Sequence, residues 1–417
     1  MFSQLKKLGP GLLFAGAAIG VSHLVQSTRA GADFGLGLIW ALILVNLFKY
    51  PFFQYGPRYA SATGESLLEG YHKLGKGILI TYFILNLAVM FTIQTAVTIV
   101  TAGLANSLFG DISFLNFGIE SISSVELWTI IILSLCLFIL FVGKYSTLDK
   151  LIKVIIVILT ISTLVAVYFA FTEFEAPINY VQVFPESKVE IVFLIAFMGW
   201  MPAPLDISVW HSIWAIEKKK DEASFTPKNA LLDFNIGYIG AIILGISFVC
   251  LGYFVMFNTG ESFSAKAGEF SNQLIDLYTK SLGNWAYILI GIAAFTTMFS
   301  TTITTLDASP RVMSRSLEIL FNKTHKYGYL IWIFILAIGT VLIFFAFASE
   351  MGLLIKIATI LSFVTAPFYA IINYKLISSK HTPEAWRPSI ILHILSWAGI
   401  LFLIGFSIWY ITMLQQF

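Results

Sequence analysis

The feature that most constrains this chain is a succession of about eleven apolar segments, each close to the roughly 20 residues a helix needs to cross a bilayer. They lie near 10–28, 36–57, 77–108, 126–143, 151–171, 189–216, 231–257, 283–306, 328–348, 352–374 and 389–414. Between them no stretch is long enough for a water-soluble domain. Hydrophobic residues make up 58% of the 417 and charged residues 12%, about half the charged share of a soluble globular protein. A water-facing globule cannot hide that much apolar surface, so the expectation is an all-α integral membrane protein forming a single transmembrane domain over residues 1–417.

Lys and Arg orient it. With the N-terminus in the cytoplasm, the clusters Lys6–Lys7, Arg58–Lys76, Lys144–Lys153, Lys218–Lys228, Arg311–Lys326 and Lys375–Arg387 all fall inside. That is the positive-inside pattern, and an odd number of spans then puts the C-terminus outside. A bacterial inner membrane is the expected location. The Lys218-Lys219-Lys220 run reads as a topological anchor with some contact to anionic lipid. Net charge is only +2, which argues against a nucleic-acid partner. Cys136 and Cys250 lie in apolar runs and read as two thiols, without metal-ligand spacing. No nucleophile elbow, phosphate loop or carboxylate pair appears, which argues against an enzyme and calls for no cofactor.

Two of the apolar segments are interrupted. In the first, Gly20-Val21-Ser22-His23 breaks an apolar run at mid-span. In the sixth, Pro202 and Pro204 each remove a backbone donor and clash with the preceding turn, just after Gly199. Unwound backbone at membrane depth must line a polar cavity or be buried against protein. Breaks at corresponding places in two halves predict an inverted repeat with a midplane site. The repeats run from about 9 to 175 and from about 188 to 376, with an extra eleventh helix at about 389–414.

Several polar residues inside these spans are candidates for function, because buried ionisable groups in a membrane seldom lack a role. Gly20, Ser22, His23, Gln26, Ala203 and Asp206 are the candidate substrate-binding set, with His23 and Asp206 as potential metal ligands. Lys49, His211, Gln94 and Lys356 are candidates for coupling or gating. For the two lysines the alternatives are snorkelling, or an ion pair with Asp206, Asp307 or Glu350. Trp200, Trp210 and Trp214 read as packing or lid aromatics, and Asp307 as the i,i+4 partner of Arg311.

The blocks "GPGLL", "AGADFG", "LIWALILVN" and "RYASATGESLLE" resemble the first two helices of the Nramp family of divalent-metal transporters. "STTITTLDASPRVMSRSL" (300–317) resembles the end of that family's eighth helix, and His211-Ser212 the pair after its sixth-helix break. The resemblance implies a LeuT-type fold, in which helices 1 and 6 are broken and 5+5 inverted repeats are followed by an extra helix. It also implies secondary transport of a cation by alternating access. The motifs that carry metal chemistry differ, however. Gly20-Val21-Ser22-His23 stands where the family has Asp-Pro-Gly-Asn, and Pro204-Leu205-Asp206 where it has Met-Pro-His. The third span carries Asn86, Gln94 and Asn106 where the family has acids, and the paired arginines of its ninth helix are missing. Thioether ligands help select transition metals, whereas oxygen ligands suit harder ions. A site of Ser22, His23, Asp206 and backbone carbonyls therefore does not predict ordinary manganese or iron selectivity. The other readings are transport of a small polar organic solute such as an amino acid, held by half-helix N–H groups and Lys49, and a receptor that kept the fold without transport.

Overall fold

The computed structural model describes residues 9–113, 122–142, 145–222, 225–257, 259–260, 263–264, 266–283, 286–346 and 351–415. Lys6, Lys7, Lys144, Glu350 and part of the 109–125 connection fall outside them. Fifteen α-helices run through the described residues. The first interrupted span is α1 (Pro10–Ala18), a π-helical segment (Ser22–Ser27) and α2 (Thr28–Phe34), with a bend of 48° at the break. Next come α3 (Ile39–Thr63), the short α4 (Leu67–Leu74), α5 (Lys76–Phe109), α6 (Ser124–Val142) and α7 (Tyr145–Glu173). The second interrupted span is α8 (Lys188–Trp200) and α9 (Ile207–Asp221). It is followed by α10 (Pro227–Met256), the surface helix α11 (Ala267–Leu282), α12 (Ala286–Phe321), α13 (Gly328–Ala346), α14 (Met351–Ile377) and α15 (Ile390–Gln415).

Seven of these helices are long and apolar enough to cross a membrane, and the bent first pair makes an eighth. The sequence predicts about eleven. The difference lies in α3, which carries Lys49 and two prolines, in α12, and in the α8–α9 pair, whose halves of 13 and 15 residues are each too short to span alone. The eighth predicted span also runs further than expected, to Phe321, with Asp307 and Arg311 paired at 2.7 Å along its flank. Helix α5 is the most enclosed of the seven, with 61% of its apolar window buried, whereas α13 and α15 bury 28%. The outer faces of the last two present Ile338, Leu342, Ile394 and Leu401 to lipid. Both cysteines are free thiols.

Backbone contacts between helices fix the frame around the first break. A Cβ on Gly31 of α2 would meet the Val249 carbonyl of α10 at 2.0 Å, and one on Gly252 of α10 would meet the Thr28 carbonyl at 2.1 Å. One turn of α1 repeats the pattern: a Cβ on Gly11 would meet the Asp233 carbonyl at 2.1 Å and one on Gly237 the Gly11 carbonyl at 2.0 Å, and the Asp233 carboxylate accepts from the Gly9 and Gly11 amides. Small residues at membrane helix interfaces permit this approach. Gly252→Val is therefore expected to lower stability by about 1–3 kcal/mol or more from overpacking. Gly240→Ala, on the same helix with nothing within 4 Å, should leave it unchanged or slightly raised. Thermal unfolding in detergent distinguishes the two.

Candidate functional site

At the first break, α1 ends because Ile19 leaves helical geometry (φ −79°, ψ 80°) and Gly20 turns against Thr301 of α12. A Cβ on Gly20 would lie 2.9 Å from Thr301 Oγ1. That hydroxyl donates to the Gly16 carbonyl at 3.1 Å and approaches the Ile19 carbonyl at 3.5 Å, so α12 takes over acceptors released by the break. Ser22 sits 2.8 Å from the Ala18 carbonyl, 2.7 Å from His23 Nδ1 and 3.3 Å from the Pro202 carbonyl of the other break. A hydroxyl carries one hydrogen and must choose among these acceptors. His23 is wholly buried; its Nε2–H donates to the Ala241 carbonyl at 3.0 Å, so both ring nitrogens are engaged within the protein. It orients Ser22 rather than facing a cavity.

At the second break, Ser187 and Glu190 cap the start of α8, which ends at Trp200. Residues 201–206 are unwound through Pro202 and Pro204. The freed carbonyls are met by a lysine. Lys49, on α3 and fully buried, donates to Gly199 O at 2.7 Å, Met198 O at 2.9 Å and Met201 O at 3.1 Å, with Ala203 O at 3.5 Å. The Phe363 ring covers it at 5.9 Å. An ammonium at the carbonyl end of α8 also opposes the negative end of that helix's dipole. Lys49 neither snorkels nor forms an ion pair with Asp206 or Asp307. Asp206 stands at the start of α9, where the dipole favours an anion. It is buried, and no side chain among the described residues pairs with its carboxylate, which the backbone N–H groups of Asp206 and Ile207 approach.

Between the breaks lies a cavity of about 20 Å³ lined by Gly20, Val21, Ser22, Pro204 and Ile207, by Thr301 and Thr305 of α12, and by Trp200 and Trp210. The minimum for one water is roughly 10–15 Å³, so this space fits one water-sized particle. A second cavity of about 600 Å³ opens where α3, α9 and α12 end. It is lined by Glu69, Glu217, Arg311, Arg315 and Tyr329 among others, and Arg315 pairs with Glu69 across it at 2.6 Å.

Of the residues singled out in the sequence, Gly20 and Ser22 line the small cavity, with His23 directly behind. Ala203 turns its carbonyl toward Lys49. Gln26 is buried in the π-helical segment with its Oε1 unpartnered. Gln94 ties α5 to α12, donating to Thr98 Oγ1 and the Thr302 carbonyl. His211 lies away from the cavity, stacked on Phe14 at 5.7 Å beside Phe234 and Trp214, its ring nitrogens unpartnered. Lys356 is exposed on α14 and is not brought to the breaks. Among the described residues no group of three or more His, Cys, Asp or Glu is placed to hold a metal ion. Thr301 and Thr305 were missed, although i,i+4 hydroxyls in "STTITT" mark one helix face. Trp200 and Trp210 line the cavity as well as packing.

Two broken helices facing each other across a small cavity, apolar on most of its wall and carrying the hydroxyls of Ser22, Thr301 and Thr305, define a secondary transporter of the LeuT type. Residues 11–413 match the family described as natural resistance-associated macrophage protein-like, and the chain belongs to this Nramp family. An uncharacterized protein of Pasteurella multocida is 36% identical over 98% of this chain and 93% of its own length. A manganese transporter of Eremococcus coleocola superposes with a TM-score of 0.73 at 14% identity, over 97% of this chain and 86% of that one. MhsT in complex with L-phenylalanine does so at 0.65 and 14%, over 96% and 98%. Identities this low speak to the fold.

If Lys49 holds the end of α8, Lys49→Met leaves three or four buried carbonyls without a donor. Each hydrogen bond from a charged group is worth about 1.5–3 kcal/mol, so the melting temperature should fall by many degrees. An unchanged or raised melting temperature contradicts the assignment.

Proposed function

We propose that this Nramp-type transporter moves a small cation through the cavity between its breaks, using oxygen ligands rather than soft donors. The observation that carries this is the cavity itself. The oxygen donors on its otherwise apolar wall are the hydroxyls of Ser22, Thr301 and Thr305, and its volume of about 20 Å³ suits one dehydrated ion. Gln26 and Asp206 are not among the lining residues; Asp206 is the carboxylate at the start of α9, next in the chain to Ile207 of the lining. His23 acts through Ser22, because both its nitrogens are taken. The tethered ammonium of Lys49 satisfies the α8 carbonyls, so these are not offered to the substrate. This weakens the organic-solute reading twice: Lys49 is not free to hold a carboxylate, and an amino acid does not fit without moving Trp200 and Trp210.

Alternating access follows from an inverted-repeat reading, with repeats at about 9–175 and 188–376 and an added helix at about 389–414. The hydroxyl of Thr301 on α12 meets the carbonyls of the first break, which supports a site between the two halves. In this reading the N-terminus is cytoplasmic, the C-terminus is outside, the membrane is a bacterial inner membrane, and the charged cavity at Glu69 and Arg315 is the inner vestibule. His211 and Gln94 lie on the helices that must shift as it opens.

The test is uptake into proteoliposomes of a panel of alkali ions, magnesium, manganese and amino acids. Saturable uptake of a cation is expected, reduced at least tenfold by Ser22→Ala or by Thr301→Val. Uptake of an amino acid, or of no solute, overturns the reading. Single cysteines at Lys220 and at Glu186 should label from the inside and the outside of right-side-out vesicles, respectively; the reverse pattern inverts the topology.

A further inference from the structure

The two tryptophans on the wall of the midplane cavity are held in different ways. Trp200 is the last residue of α8 and Trp210 lies on α9; both are buried, and both line the space of about 20 Å³. The Trp210 Nε1–H has no hydrogen-bond partner among the described residues. The Trp200 Nε1–H donates to the buried Ser362 hydroxyl of α14 at 2.8 Å. Ser362 donates its own hydrogen to the Ala358 carbonyl one turn back, also at 2.8 Å, which leaves its lone pairs for the indole. Neighbouring residues of α14 grip the same end of α8. A Cβ on Gly199 would lie 2.5 Å from the Thr359 carbonyl, and the Phe363 ring covers the Lys49 ammonium that holds the Met198 and Gly199 carbonyls. Positions 359, 362 and 363 share one face of a helix, and that face fixes the end of α8 by backbone and side chain alike.

We propose that Ser362 is a positioning residue whose hydrogen bond makes Trp200 a rigid wall, so that the cavity selects among cations of one charge by their radius. The inference rests on the cation reading above and adds what decides between cations of the same class. The cavity holds one water-sized particle, so an ion occupies it without a water beside it. The hydroxyls of Ser22, Thr301 and Thr305 replace part of the lost hydration, and the rest of the wall is apolar, with the Trp200 indole in it. Selection among hard cations is a matter of cavity size, ligand number and flexibility. The same three hydroxyls meet every ion that enters, so size and flexibility are left to discriminate. A free indole yields to a larger ion. One tied to α14 resists, because yielding leaves a buried N–H without an acceptor. Trp210 carries no such tie, so the filter is set on the α8 side.

Uptake into proteoliposomes is measured for ions of equal charge and different radius, sodium against rubidium and magnesium or manganese against barium. In the charge class that the parent chain carries, the smaller ion is expected to be favoured. Ser362→Ala, which removes the acceptor, should lower that small-to-large ratio at least fivefold through faster uptake of the larger ion. Ser362→Thr, which keeps the hydroxyl, should retain the parent ratio. Trp200→Phe should lower the ratio as well, and adding Ser362→Ala to it should lower it no further, because the bond is already gone. A parent chain that prefers the larger ion, a ratio unchanged in Ser362→Ala whatever its total uptake or melting temperature, or additive effects in the double variant overturns the proposal. A second readout needs no transport. In a Cys136→Ala, Cys250→Ala, Ala17→Cys chain purified in detergent, the thiol in the cavity wall is modified by a small and by a bulky methanethiosulfonate. Ser362→Ala should raise the rate with the bulky reagent relative to the small one at least fivefold. If cation uptake proceeds and the ion ratio does not respond to Ser362→Ala, the tethered wall falls and the transport reading stands. If no cation is taken up, the modification rate decides: the shift upholds the tethered wall while the transport reading falls, and its absence overturns both.

Discussion

The ammonium of Lys49 and the carbonyls at the end of α8 are the contact on which the rest of the site depends. Two prolines stop the sixth span from completing its hydrogen bonds, and hydrocarbon offers nothing to replace them. A charged side chain near the bilayer centre costs about 3 kcal/mol by insertion scales when left to itself. Here each problem answers the other. The unwound backbone solvates the ammonium, and the ammonium supplies the donors that the prolines remove. The helix can then stay broken at one place, with Trp200 and Pro204 held at the cavity wall.

The two breaks are built by different means and joined through one hydroxyl. Thr301 meets the carbonyls of the first break, and Lys49 meets those of the second. Ser22 reaches from the first toward the Pro202 carbonyl of the second, with His23 and the Ala18 carbonyl competing for its hydrogen. A cation arriving beside Ser22 draws on the lone pairs of that oxygen and leaves its hydrogen to one of these acceptors. Occupancy of the cavity is thus linked to the hydrogen bond that spans the breaks, which is the kind of differential contact that a change between two conformations requires.

Much of the fold was legible in the sequence because it follows from local chemistry. Glycine before a serine and histidine, and two prolines after a glycine, marked both breaks, and the apolar runs marked the helices around them. The i,i+4 spacing of Asp307 and Arg311 gave their ion pair directly. The partner of Lys49 was not legible, because carbonyls carry no sequence signal and become acceptors only where the backbone unwinds. Lys356 carries the same charge in a similar apolar context, yet lies exposed; only the facing of its helix separates the two. His23 looked like a ligand because its type binds metals, but Ser22 and the Ala241 carbonyl already use its nitrogens.

The central claim is that the cavity between the breaks is the pathway of a cation, and the rate of thiol modification within it tests this most directly. In a Cys136→Ala, Cys250→Ala background, Ala17→Cys places one thiol in the cavity wall without removing an oxygen donor. The account predicts that a small membrane-impermeant methanethiosulfonate reaches it as the protein cycles, and that the transported cation slows the reaction saturably. A thiol that stays inert from both faces, or a rate indifferent to every cation tested, contradicts the account.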